Sequence, residues 1–290
     1  MANKAGQTAH GPMVQVALEQ LAPETQRLVH DELTYQFLPS GLQHALRLTR
    51  WSAARRLLFR LSEKRAPGVR GGVLCRKRYI DEKTVEAVNA GINTFVNLGA
   101  GLDTRVYRLP ELAESSVFEV DLPENIAYKR GKLQRLYGMV PAHVRLVPMD
   151  FCIQDLEGVL SSSGYQKVEK AFFIWEAVTQ YLPEAAVRNT FDFLARAPSG
   201  SRLVFTYIRQ DFMEGTMVYG LDALYQGFRV KEHVWQFGLA PEEVASFLHE
   251  YSWQEEEQVG SQEYTARYLK PCGRVLPVME IERAIFAEKR

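Results

Sequence analysis

The residues best suited to chemistry lie in the middle of the chain. Residues 97–105 read Asn-Leu-Gly-Ala-Gly-Leu-Asp-Thr-Arg, which sets Gly99 and Gly101 on either side of Ala100. Asp121 follows twenty residues after Gly101 with Leu122 beside it, then come Asp150 with Phe151, and Glu176. Gly-x-Gly after an apolar run lets the backbone turn with no Cβ in the way and come close to a ligand. A helix N-terminus after such a turn favours anionic groups. A carboxylate about twenty residues further on suits the two hydroxyls of a ribose. Together these residues read as a grip on a nucleoside-bearing cofactor. The other readings are a plain turn for the glycines, helix caps for Asp121 and Asp150, and a strand-end acid paired with an arginine for Glu176. A dinucleotide fingerprint needs a third glycine where Thr104 stands, which disfavours the rival reading of an NAD-dependent oxidoreductase.

These positions have a common place in the pattern. Short apolar runs at Asn93–Leu98, Ser116–Val120, His143–Val147, Lys170–Trp175 and Arg202–Ile208 are expected strands. Helical stretches at 123–137, 153–161 and 183–195 alternate with them, which predicts parallel βαβ units. Trp253–Val259 and Val278–Ala287 are expected as last strands. The fold class is therefore α/β, a doubly wound, mostly parallel seven-stranded sheet with N-terminal helices. Gly99, Asp121, Asp150 and Glu176 each end a strand, where ligands bind in open α/β sheets. The expected organisation is a single domain 1–290: a helical extension over 1–90, a cofactor-binding core over 91–210, a helical lid insertion over 211–250, and final strands over 251–290. Pro67–Gly72 reads as a loop and 79–90 as a helix. The lid carries Phe212, Tyr219, Tyr225, Phe228, Trp235 and Phe237, which would surround an apolar acceptor.

Thirty-five Lys and Arg balance thirty-five Asp and Glu, so no global field draws the chain to nucleic acid. The charge is uneven, however. Eleven cations lie between Arg47 and Arg78 against Glu63 alone, while Glu250, Glu255, Glu256, Glu257 and Glu263 collect near the other end. The two regions read as solvated faces that approach each other, or as a basic wall beside an anionic substrate or membrane. The second option carries another rival, a membrane-peripheral binding protein. Cys75, Cys152 and Cys272 form neither a disulfide framework nor a zinc pattern, and the six histidines show no metal spacing. With no signal-like run and no apolar stretch of about 18 residues, a cytoplasmic protein without stable membrane insertion is expected.

The segments VNLGAGLDTRVYRL, FEVDLPENIAYKR, VPMDF and WEAVTQYL, in this order and spacing, resemble the leucine carboxyl methyltransferase family. That family includes the protein phosphatase methyltransferases and bacterial O-methyltransferases of the tetracenomycin polyketide type. The resemblance runs over roughly residues 76–290, including the tail ERAIFAEK. It implies S-adenosyl-L-methionine as cofactor and a class I methyltransferase fold. It also implies Arg78 against the methionine carboxylate, although Arg78 alone reads as a surface arginine. Gly99, Ala100 and Gly101 would lie along the methionine part, Asp121 with Leu122 at the ribose, Asp150 and Phe151 at the adenine, and Glu176 near the amino group. Tyr181, Tyr207, Arg209 and His233 are the candidates for the acceptor side. Asp103, Thr104 and Arg105 either brace the glycine loop or offer Arg105 to an anionic acceptor. The phosphatase methyltransferases carry an Arg-Gly-Tyr stretch where this chain reads CRKRYID. That departure disfavours a protein carboxyl acceptor and favours a small molecule bearing a carboxylate or a phenolic hydroxyl.

Overall fold

The computed structural model of the chain describes residues 10–290, apart from the side chains of Arg50, Ser52 and Ala54. Residues 1–9 of the expected N-terminal extension lie outside the described residues. Seven strands form one sheet: β1 (Thr94–Leu98), β2 (Ser116–Asp121), β3 (Val144–Pro148), β4 (Ala171–Trp175), β5 (Arg202–Ile208), β6 (Trp253–Val259) and β7 (Glu282–Lys289). Their order is β3-β2-β1-β4-β5-β7-β6. The β1–β5 pairs are parallel, and β7 runs antiparallel to both β5 and β6. The chain starts at β1, winds outward to β3, then returns to β4. The order therefore reverses between β1 and β4, and a crevice opens there at the carboxyl ends.

Both faces of the central strands are buried, as a parallel sheet requires. Side chains alternate with period two. Val96, Leu98, Phe173, Trp175, Leu203 and Phe205 meet the helices Leu156–Ser162, Glu184–Leu194 and Val244–Glu250 on one face. Phe95, Phe172, Ile174 and Val204 meet the helix Val69–Asn89 on the other. The N-terminal helix His10–Glu19 adds a smaller cluster, in which Met13, Leu18 and Phe37 cover Leu102 and Leu133.

The long helix corrects one expectation. It begins at Val69, so Gly71 and Gly72 are helical rather than part of a loop. Only Gly68, at φ 75°, takes the left-handed turn that starts the helix. Gly71 serves close approach: a Cβ there would lie 2.1 Å from the carbonyl oxygen of Pro277. The expected last strand is also shifted, to Glu282–Lys289.

The segment 211–250 is not one helical layer. Two short helices, Gln210–Glu214 and Asp222–Leu224, lead into a wide turn over Tyr225–Lys231 and then extended chain up to Pro241. Phe212, Trp235, Tyr225 and Phe228 pack on Ile208 and Ile281 in a cluster of their own. The acidic C-terminal residues find Arg188, Arg267, Lys83 and Arg283 as partners. Among the described residues none of them pairs with a cation between Arg47 and Arg78, although Tyr79 and Lys83, next on the helix that carries Arg76–Arg78, both meet Glu257.

Candidate active site

A cleft of about 430 Å³ opens at the β1/β4 reversal. Eight of the nine expected cofactor residues line it: Gly99, Ala100, Gly101, Asp121, Leu122, Asp150, Phe151 and Glu176. The glycine loop is built for its place. Gly99 sits at φ 72° and Gly101 at φ 43°, and a Cβ on Gly99 would strike Val178 Cγ2 at 2.3 Å. The Gly99 and Ala100 N–H groups donate to Val120 O, tying the loop to β2.

Asp121 closes this wall. Its Oδ2 accepts from Gly101 N–H at 2.5 Å. Its Oδ1 accepts from Leu122 N–H at 2.7 Å and Asn125 Nδ2 at 2.6 Å. Burial pushes its carboxyl upward in pKa, against these three hydrogen bonds. The capping and ligand readings of Asp121 are thus compatible, because a carboxylate has about four acceptor positions. Asp150 accepts from Cys152 N–H at 2.9 Å and so shapes the turn that carries Phe151.

Charged side chains crowd the other end. Arg76 Nε donates to Glu176 Oε1 at 2.9 Å, and its Nη1 donates to Glu282. Lys77 Nζ lies 3.1 Å from Glu176 Oε2 and 3.4 Å from Asp103 Oδ2. Arg105, with no exposed surface, donates to Asp81, Asp103 and Glu176. Arg105 is therefore a brace beneath the loop and does not face an acceptor. Arg76, Lys77, Asp103 and Glu176 all border the cleft, so both signs of charge stand within reach of one ligand head.

Burial pushes the Glu176 carboxyl up, but Lys77, Arg76 and Arg105 outweigh it and hold the group at about 2. Asp103 is likewise held well below the carboxylate range, with Arg105 and Lys77 outweighing its burial. In the unfolded chain both titrate near 4. A depressed folded pKa gives stability that is present above the unfolded value and is lost as pH falls toward the folded one. The urea midpoint is expected to fall between about pH 5 and pH 2 on account of these two groups, and Glu176→Gln should flatten that acid limb. Identical limbs in the two proteins would show that Glu176 is not held this way.

Several expected site residues lie elsewhere. Arg78 points off the outer side of its helix, pairing with Glu82 at 3.0 Å and lying over the Tyr268 ring. The cations that reach the cleft are Arg76 and Lys77 instead. Tyr207 is fully buried, with its hydroxyl donating to Gln258 at 2.7 Å. Its neighbour Thr206 turns to the other face, where its Oγ1 accepts from Ala177 N–H. Arg209 is paired with Asp211 and lies over Tyr219. His233 is exposed, at φ 51°. None of these three, Tyr207, Arg209 and His233, is among the cleft residues. Of the acceptor-side candidates, Tyr181 lines the cleft, with its ring edge-on to Trp235 at 6.4 Å. Gln236 is the one residue of 211–250 that borders the cleft, and it bonds to the Tyr181 carbonyl.

Sequence reasoning missed Pro12, Met13, Asn97 and Asn125, which also line the cleft. Pro12 and Met13 arrive only through tertiary docking of the first helix. Asn97 is buried, and its Nδ2 has no hydrogen-bond partner among the described residues. An orphaned donor beside a cleft suits a ligand acceptor. Ala177, at φ 57°, carries left-handed strain at the mouth.

Residues 9–195 match the profile of the family described as Leucine carboxyl methyltransferase. A candidate S-adenosyl-L-methionine-dependent methyltransferase of Mycobacterium sp. (strain JLS) is 38% identical over 133 residues, covering 46% of this chain and 43% of that protein. Another, from Mycobacterium avium (strain 104), is 36% identical over 138 residues, covering 47% and 46%. The chain thus spans less than half the length of these curated relatives. Among solved structures, a DUF574 family protein from Streptomyces avermitilis superposes with a TM-score of 0.55 at 15% identity, over 79% of this chain and 88% of that one. A candidate methyltransferase from Thermobifida fusca gives 0.54 at 15% identity, over 81% and 88%. With the strand order and the cleft in place, and with the profile matched over more than half of its length, the chain belongs to the leucine carboxyl methyltransferase family, whose cofactor is S-adenosylmethionine.

Proposed function

We propose that the chain is an O-methyltransferase that uses S-adenosyl-L-methionine and acts on a small apolar acceptor bearing a carboxylate. The observation that carries this reading is the cleft itself: a hydrogen-bond-accepting carboxylate, Asp121, at one wall, and a mixed-sign cluster of Arg76, Lys77, Glu176 and Asp103 at the other. The first suits ribose hydroxyls and the second a zwitterionic amino-acid head. Asn97, with its orphaned Nδ2, adds a donor between them. Arg76 and Lys77 take the role that the resemblance gave to Arg78, and Asp150 and Phe151 would receive the adenine.

When bound, the cofactor supplies a methyl group on an already activated sulfonium. What remains for the chain is to hold an acceptor oxygen in line and exclude water, a contribution of up to about 7–11 kcal/mol. Pro12, Met13, Val178, Tyr181 and Leu182 give the cleft an apolar side for that. No histidine is among the described residues that line it. A carboxylate is ionised at neutral pH and needs no base, whereas a phenol near pKa 10 does. That difference favours the carboxylate over the phenolic acceptor. The test is incubation with S-adenosylmethionine and matched panels of apolar carboxylic acids and phenols, with products identified by mass spectrometry. Alkali-labile methyl esters are the expected products, and transfer to phenols alone, or to nitrogen, overturns the reading.

Tyr181 is the side chain expected to meet the acceptor. Tyr181→Ala should raise the acceptor KM by about tenfold or more, because the acceptor would no longer bury its apolar surface against the ring. The affinity for S-adenosylmethionine should stay within about threefold, because Asp121 and the charged cluster hold the cofactor from the strand ends. Equal losses in both constants would place Tyr181 in the cofactor's support.

A further inference from the structure

The basic stretch reaches the cleft through Arg76 and Lys77, and its earlier part, residues 47–65, is left without a role there. Its helix, Ser52–Arg65, has no fully buried residue among those described. Its inner side is formed by the half-buried Arg55, Phe59, Ser62 and Glu63, with Phe59 beneath the Arg70 guanidinium. On the opposite side stand Leu57 and Leu61, each 58% exposed, with Leu58 beside them and Trp51, 73% exposed, at the helix start. Arg56, Arg60 and Lys64 recur at i, i+4 and i+8 and form a row alongside Leu57 and Leu61. Among the described residues no carboxylate pairs with Arg56, Arg60, Lys64 or Arg65; Glu63 is engaged in accepting from Gly68 N–H at 2.9 Å.

An exposed leucine row flanked by unneutralised cations is matched by a surface that is apolar below and anionic above. We infer that residues 48–65 dock this protein onto an anionic lipid bilayer. The helix lies in the interfacial plane with Leu57, Leu58 and Leu61 among the acyl chains and Arg56, Arg60 and Lys64 at the phosphates. Trp51 sits at headgroup depth, where indole rings collect. The attachment is peripheral, since among the described residues no helix is long and apolar enough to cross a membrane. A second copy of the chain fits less well, because paired helices of this kind would bring like charges together. The inference is independent of the methyl-transfer reading and needs no cofactor to test.

Trp51 is a built-in reporter, because the chain's other three tryptophans, Trp175, Trp235 and Trp253, are buried. The test is sedimentation and tryptophan emission of the full chain with vesicles rich in phosphatidylglycerol, and with vesicles of phosphatidylcholine alone. Co-sedimentation with the anionic vesicles, a blue shift of Trp51 and weakening at high salt are expected. Each basic side chain at an anionic surface is worth roughly fivefold in partitioning, so Arg56→Gln with Arg60→Gln and Lys64→Gln should lower it by about a hundredfold. Leu57→Ser with Leu61→Ser should lower it by about tenfold or more. All five side chains are at the surface, and unchanged circular dichroism verifies that both variants fold. Equal affinity for the two vesicle types, no shift of Trp51, or a concentration-dependent dimer that buries Trp51 without lipid would overturn the inference.

Discussion

The Asp121→Ala protein is expected to bind S-adenosylmethionine between about 10-fold and 150-fold more weakly than the unaltered chain. The range follows from losing a charged acceptor, worth roughly 1.5–3 kcal/mol. Two effects act in the same direction. A ribose loses its carboxylate, and the Gly101 N–H loses the partner that fixes the loop at 2.5 Å. Asp121→Asn separates them: one amide oxygen still accepts from the loop while the charge is gone, so its affinity should fall between the two. Calorimetric titration of folded protein checks all three. An affinity unchanged in Asp121→Ala would reduce Asp121 to the helix cap that its bonds to Leu122 and Asn125 also make it.

The second large effect concerns stability. Arg105→Met is expected to cost about 3–5 kcal/mol, the penalty for breaking a buried charge network from one side. Arg105 has no exposed surface and donates to Asp81 on the long helix and to Asp103 and Glu176 in the loops after β1 and β4. Its removal leaves Asp103 with Lys77 as its remaining cation and Asp81 with Arg108. Arg105→Lys should recover little, since one ammonium cannot reproduce the planar fork. Arg78→Ala is the contrasting variant. Its half-exposed pair with Glu82 is worth little, so its urea midpoint and cofactor affinity should both stay near those of the unaltered chain. Urea unfolding at neutral pH measures the stabilities. A mild Arg105→Met, or a large Arg78→Ala effect on cofactor binding, would contradict this division of roles.

β1, β2 and β4 were legible with their polar ends because each is short, largely apolar and closed by glycine or an acid. Burial on both faces leaves a continuous apolar run, and β5 appears with the expected bounds. The Arg76 and Lys77 placement was not legible. Helical neighbours turn by about 100° each, so a two-residue difference carries Arg78 to the far side of a helix whose apolar pattern is weak. Tyr207 and Thr206 differ by one step in a strand, which exchanges the two faces of the sheet. Gly71 and Gly72 looked like loop residues because glycine's use for close approach depends on Pro277 and Met279, far along the chain. The same holds for Pro12 and Met13, which meet the cleft only through docking of a helix whose sequence carries no motif. The aromatics of 211–250 do not share one surface: Tyr219 donates to Asp211 and is not among the cleft residues, while Trp235 packs against Tyr181, which lines the cleft.

The most direct test of the central claim is a calorimetric titration of the unaltered protein with S-adenosylmethionine, S-adenosylhomocysteine and NAD in parallel. Asp121, the Gly99–Gly101 loop and the charged pair Arg76 and Lys77 are all available to the first two ligands, and Thr104 stands where a dinucleotide site needs glycine. Saturable binding of the two sulfur nucleosides at one site, lost in Asp121→Ala and absent with NAD, is the predicted result. Saturable binding of NAD with no heat from either sulfur nucleoside would contradict the account.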